Sequence, residues 1–141
     1  MNTQSLKPSE SLQVIAQLAR ANTLLMRRFE SGLPGGLGFN EFMILLHLHQ
    51  SAEGKMRRTD LADRLGVTSS GVTRLVAPME KLGIVKREES EHDGRVVFVA
   101  LASGGRRLFS EAVESAEYNS EKIIPAKKAA SYRNLVAGIQ I

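Results

Sequence analysis

From about Ser9 to Ser31 the chain repeats every three to four residues: Leu12, Ile15, Ala19, Asn22, Met26 and Phe29 form one stripe, and Val14, Leu18, Ala21 and Leu25 a second. This spacing predicts a helix of roughly 22 residues, about 33 Å long at 1.5 Å per residue. Two apolar stripes exceed what one small domain can cover, so part of this surface is expected to meet a second subunit. Gly32 and the run Leu33-Pro34-Gly35-Gly36-Leu37-Gly38 end the helix and read as a flexible connector. No strand precedes that run and no Lys-Ser or Lys-Thr follows it, which argues against a phosphate-cradling loop. A second helix is predicted from Asn40 to near Gly54, with Asn40 as its cap, Phe39 and Ile44 as a hydrophobic staple, and Phe42, Leu45, Leu46 and His49 inward.

The pattern then shortens. Thr59 is the expected cap of a brief helix with Leu61, Ala62 and Leu65 inward and Gly66 as its left-handed end. Thr68 caps the next helix, whose Val72, Leu75, Val76 and Met79 follow the spacing of a buried face. Two short helices across a tight glycine turn form a helix-turn-helix. Strand-like runs Ile84–Glu88 and Val96–Leu101 flank Glu91-His92-Asp93-Gly94-Arg95, and the Asp-Gly step is a hairpin signal. Helical periodicity returns through Leu108, Phe109, Ala112, Val113, Ala116, Asn119 and Ile123 until Pro125, and a short amphipathic stretch carries Tyr132, Leu135, Val136 and Ile139. The predicted fold class is therefore mainly α with a small β-hairpin wing, a winged helix-turn-helix in one domain over 1–141.

Composition narrows the chemistry. In 141 residues there is no cysteine, which excludes disulfides, thiolate metal sites and cysteine nucleophiles. The formal charge of +4 is uneven: residues 55–107 hold eleven Lys and Arg against seven Asp and Glu, whereas both flanks are neutral. A cationic centre points to a polyanion partner. The opening Met1-Asn2-Thr3-Gln4-Ser5 lacks the basic and apolar runs of a signal peptide, and no 18-residue apolar stretch occurs, so a cytoplasmic protein without a membrane partner is expected. His47 and His49 lie two apart on a helix and diverge by about 200°, so no metal site is expected there. His49 reads as a half-buried core residue, with a pocket-lining role as the alternative.

The outward face of the second short helix carries Ser69, Ser70, Thr73, Arg74 and Ala77. Short hydroxyls without acids let a helix approach a groove closely, and Arg74 can offer two donors to guanine O6 and N7. Arg95 at the hairpin tip suits a narrow, electronegative minor groove, with Asp93 orienting it or Arg87. Arg57, Arg58, Lys86, Arg106 and Arg107 are candidate phosphate contacts, or else solvate the surface. A winged module docking an acidic protein partner is the rival reading. A Ser69, His92 and Asp93 triad can be drawn only on paper, because His92 sits in an exposed turn, so no catalytic residue and no enzyme is predicted.

Ser69-Ser70-Gly71-Val72-Thr73-Arg74-Leu75-Val76, Glu80-Lys81-Leu82-Gly83-Ile84-Val85-Lys86-Arg87, Asp93-x-Arg95 and Leu101 before Ser103-Gly104-Gly105 together resemble the MarR family of winged-helix transcription regulators. The resemblance implies a DNA-binding lobe over 40–102, dimerisation helices over 9–35 and 104–141, and a homodimeric repressor on an inverted-repeat site in double-stranded DNA. Thr68 joins the DNA-binding set Arg57, Arg58, Ser69, Ser70, Thr73, Arg74, Lys86, Asp93 and Arg95. The resemblance further implies a small aromatic or phenolic effector between lobe and dimer helices, and no cofactor or metal. Two departures stand out. Ala102 occupies the place of the family's usual threonine, so Ser103 is expected to cap instead, and Pro78 is expected to bend the end of the recognition helix.

Overall fold

A computed structural model describes residues 6–141; residues 1–5, read above for a targeting signal, lie outside the described residues. Helix α1 (Glu10–Ser31) starts where the Ser9 hydroxyl accepts from the Leu12 N–H at 3.2 Å. Of α1 only Phe29 is buried; Leu12, Val14, Ile15, Leu18 and Leu24 are exposed. The glycine-rich run after it is more than a loose connector, because Leu33 and Leu37 turn into the core around a short 3₁₀ turn.

The N-cap of helix α2 (Phe39–Gln50) is Gly38, two residues before Asn40. The Glu41 carboxylate accepts from the Gly38 N–H at 3.3 Å, and Glu30 at the end of α1 accepts from the Phe39 N–H at 2.9 Å. Acid side chains from two helices thus satisfy two backbone donors at the start of α2. With the cap moved, Leu37 and Phe42 take the staple positions, and both are buried. Phe42, Ile44, Leu45 and Leu48 place α2 at the centre, against α1, α3 (Arg58–Leu65), α4 (Ser69–Lys81) and α5 (Ser103–Ile123). His49 is exposed rather than half-buried in the core; its ring lies 4.4 Å from that of Phe109.

Three antiparallel strands complete the lobe in the order β1 (Lys55–Arg57), β3 (Val97–Leu101), β2 (Val85–Glu89). β1 has only three residues, none β-branched, so it carries no sequence signal of its own; pairing of Met56 with Val99 makes it a strand. Helix α3 begins after Arg57 without a side-chain cap, and Thr59 already lies inside its first turn. Ala102 likewise precedes α5 without a side-chain bond, and Ser103 is helical, so it does not cap. The start of α5 is instead held by its glycines. A Cβ on Gly104 would lie 2.6 Å from the Gly83 carbonyl oxygen, and one on Gly105 would overlap that of Ile84.

Helix α6 (Ala126–Ala137) has no buried residue, and Leu135, Val136, Ile139 and Ile141 face outward. No helix among the described residues is long and apolar enough to cross a membrane. The whole is a mainly helical winged helix-turn-helix with long arms at both ends.

Candidate nucleic-acid interface

The turn between α3 and α4 is built from backbone geometry. Gly66 adopts φ 68°, a left-handed conformation that costs a residue with a Cβ, and lets the Val67 N–H reach the Ala62 carbonyl while the Gly66 N–H reaches Asp63. Thr68 then accepts from the Gly71 N–H at 3.0 Å and starts α4. Thr68 is therefore a cap whose hydroxyl is committed to the helix it opens. Val72, Val76 and Met79 bury the inner side of α4, and Leu75 is half-buried. On the outer side Ser70, Arg74 and Ala77 are exposed, and Ser69 and Thr73 are partly covered. The helix runs three residues past Pro78, which is itself exposed.

The wing forms by a different turn from the two-residue one its Asp-Gly step signals. The strands separate beyond Glu89 opposite Val97, with Ser90 still donating to Val96, and the Val96 N–H closes a four-residue turn onto Asp93. Gly94 is not left-handed, as a two-residue Asp-Gly turn would require. Asp93 organises the tip through one oxygen, Oδ1, which accepts from the Arg95 backbone N–H at 3.0 Å and from its Nε at 3.3 Å. Arg95 is 93% exposed. Arg87 does not reach Asp93; its Nε sits 2.8 Å from Glu80 at the end of α4 and ties wing to helix. The His92 backbone N–H donates to the Ser90 hydroxyl, and Asp93 serves Arg95.

The central basic segment holds both paired and unpaired cations. In the sheet, Lys86 pairs with Glu88 at 3.3 Å and Lys55 with Glu53 and Glu88. The Lys86 ammonium, through its hydrogen bond, holds the Glu88 carboxyl below the ordinary carboxylate range. Arg57, Arg58, Arg64, Arg74 and Lys81 have no carboxylate within 4.0 Å among the described residues. Helices α3 and α4 and the end of β1 thus carry cations that no carboxylate neutralises at this range among the described residues. Arg58 is half-buried, and its Nη1 donates to the Thr73 hydroxyl at 3.3 Å, a contact between residues fifteen apart that no local pattern signals. Arg106 and Arg107 are exposed at the start of α5, and Arg106 Nη1 donates to the Leu101 carbonyl at 3.3 Å.

Two further features lie away from this face. A cavity of about 480 Å³ where α2 meets α5 is lined by His49, Leu101, Arg106, Phe109, Ser110 and Val113. His47 lines a small recess beside Arg64, and burial first, then the Arg64 charge, lowers its pKa below the usual 6.5. Among the described residues no three His, Asp or Glu side chains gather as metal ligands.

A family model described as MarR family matches residues 35–96, which span the end of the glycine run through the wing. The chain is 32% identical over 97 residues to the uncharacterized HTH-type transcriptional regulator YfiV of Bacillus subtilis, covering 66% of this chain and 58% of that protein. It is 30% identical over 76 residues to the transcriptional repressor MprA of Escherichia coli, covering 52% and 43%. The chain thus spans roughly half the length of these two curated relatives. Among solved structures, Sco3205 of Streptomyces coelicolor, a MarR family regulator in complex with DNA, superimposes with a TM-score of 0.80 at 23% identity over 96% of this chain and 91% of that one. BpsR of Bordetella bronchiseptica, whose DNA binding is regulated by 6-hydroxynicotinic acid, gives a TM-score of 0.75 at 22% identity over 89% and 97%.

Proposed function

We propose that the chain is a member of the MarR family, whose model matches residues 35–96, and that it is a sequence-specific DNA-binding transcription regulator, a homodimeric repressor acting on an inverted-repeat site in duplex DNA. The observation that carries this reading is the outer face of α4, where Ser70, Arg74 and Ala77 are exposed, no acid intervenes, and Arg74 has no carboxylate partner among the described residues. A face of short side chains around one free guanidinium fits a major groove. The wing brings Arg95, oriented by Asp93, to the flanking minor groove. Arg57, Lys86 and the start of α4 at Thr68 and Ser69 line the phosphate backbone. The DNA complex of Sco3205 supports the partner class, and MprA supports repression. The setting that follows from this partner is the cytoplasm, and the assembly needs no catalytic group.

Residues 9–35 and 104–141 join two copies, and residues 40–102 form each DNA-binding lobe. Leu12, Ile15, Leu18, Leu135 and Val136 supply the apolar surface that such pairing removes from water; full burial contributes roughly 1.5–3 kcal/mol for each large side chain. In the dimer two α4 helices about 34–36 Å apart enter successive major grooves.

A small aromatic acid is the effector class. The cavity between α2 and α5 offers it Phe109 and the His49 ring on its walls with the Arg106 guanidinium and Ser110 hydroxyl at its rim, and the control of BpsR by 6-hydroxynicotinic acid supports the class. Such a ligand acts by binding more tightly to a lobe spacing that fits DNA poorly.

Selection of sites from random duplex DNA with the purified chain tests the reading. An enriched inverted repeat with half-sites one helical turn apart is the expected result. Recovery of no common motif would overturn it and favour an acidic protein partner for the basic lobe.

A further inference from the structure

Resting on the DNA-binding reading, we propose that Arg58 is a positioning residue that sets the rotation of α4 through Thr73, and is not a phosphate contact. Arg58 opens α3, but its side chain turns back across the helix-turn-helix and donates from Nη1 to Thr73 Oγ1 at 3.3 Å. Its Nε is buried and has no acceptor, and no carboxylate stands within 4.0 Å of the guanidinium among the described residues. Holding a cation partly out of water with only a neutral hydroxyl as partner is unfavourable in itself. The contact therefore adds little to stability, and its worth lies in geometry.

The acceptor side shows what geometry is set. Thr73 Oγ1 also donates to the Ser69 carbonyl one turn back, at 3.2 Å. A hydroxyl has one proton and two lone pairs. The proton is spent on Ser69 and one lone pair on Arg58, so Thr73 has no donor left for a guanine or thymine acceptor. The Thr73 side chain is instead fixed between two helices.

Apart from the Arg87–Glu80 pair near its C-terminal end, the remaining contacts that seat α4 against α3 are apolar: Val72, Val76 and Met79 share the buried cluster with Leu61 and Ala62 of α3. Apolar packing fills volume and tolerates small rotations, whereas a hydrogen bond between named atoms has a preferred direction. Thr73 adjoins Arg74 in sequence, and any turn of α4 about its axis moves both. Arg58 thus controls where the Arg74 guanidinium points, from a place that never touches a base.

The test is fluorescence anisotropy of the full chain on the selected duplex and on an unrelated duplex, across a salt series, for wild type, Arg58→Ala, Thr73→Val and the double variant. Each single variant is expected to lose about tenfold in affinity for the selected site, with binding to the unrelated duplex and the salt slope unchanged. The double variant is expected to be no weaker than either single one, because both remove the same contact. Equal weakening on both duplexes with a salt slope shallower by about one for Arg58→Ala would assign Arg58 to a phosphate and overturn the proposal. Additive losses in the double variant would overturn it as well. If Arg58→Ala does not fold, judged by its melting temperature, Thr73→Val alone decides: it keeps the shape of Thr73 and must still lose discrimination. A wild-type chain that does not distinguish the two duplexes removes the DNA reading, and this inference with it.

Discussion

Gly105→Ala is the sharpest probe of how α5 is joined to the wing. Gly105 is buried, and a Cβ there would overlap the Ile84 carbonyl oxygen and lie 3.1 Å from Leu101 Cδ2. The obstructing oxygen belongs to backbone and already accepts from the Ala102 N–H at 3.0 Å. It cannot withdraw as a flexible side-chain end would. Alanine gains about 1 kcal/mol over glycine within a helix. Against this, overpacking costs about 1–3 kcal/mol, and loss of the Ala102 hydrogen bond costs about 1 kcal/mol more. The net expectation is a loss of about 2 kcal/mol, or about 7 °C in melting temperature for a chain of this size. The assay is thermal unfolding by circular dichroism at one fixed protein concentration, since the proposed dimer would have a concentration-dependent midpoint. Gly94→Ala is the control: nothing lies within 4 Å of its added Cβ, and a change within about 0.5 kcal/mol is expected. A Gly105→Ala protein that melts at or above wild type would refute the close approach of α5 to Ile84.

Ala102→Thr supplies α5 with the side-chain cap it lacks and is expected to stabilise by about 1 kcal/mol, read as a higher urea midpoint with an unchanged slope; an unchanged midpoint would count against Ala102 as the cap position. Arg95→Ala is expected to weaken specific DNA binding by about 1–3 kcal/mol while leaving the sedimentation coefficient unchanged, and undiminished affinity would remove the wing from the interface. His47 has a folded-state pKa below its unfolded value because of burial and Arg64. The unfolded chain therefore binds the proton first, so this contribution to stability is complete above the ordinary histidine pKa and declines as pH falls through it toward the folded value. Urea unfolding of wild type and His47→Gln across that window should show a pH slope that the variant lacks, and equal slopes would contradict the assignment.

Much of the candidate site was legible because its signals are local. The cap at Thr68, the left-handed Gly66 and the buried face of Val72, Val76 and Met79 each depend on residues within about seven positions, a range over which helical geometry is nearly invariant. The structure departs from local spacing, or chooses between the alternatives it leaves, where contacts come from farther along the chain. Asn40 lost the cap of α2 to Glu41 and Glu30, the latter arriving from α1. Asp93 was open to Arg87 or Arg95, and the chain path decided it by bringing Glu80 of α4 to Arg87. The His49 assignment failed because periodicity gives the direction of a side chain but not whether a neighbour covers it; the face it points to holds Phe109 and an open cavity.

Residue order alone therefore carries the helical arms, the helix-turn-helix and the hairpin, together with the excess of positive charge between neutral flanks, because spacing and formal charge need no third dimension. Which of those charges are free does need it. Folding pairs Lys86, Arg87 and Arg95 with acids two or seven positions away and leaves Arg57, Arg58, Arg64 and Arg74 without one among the described residues, since ion pairing is decided by a few ångströms of side-chain placement. Folding likewise makes a strand of Lys55–Arg57, presses Gly105 onto Ile84 and links Arg58 to Thr73. Each is a contact between distant segments, set by how the layers pack rather than by any local preference of the residues involved.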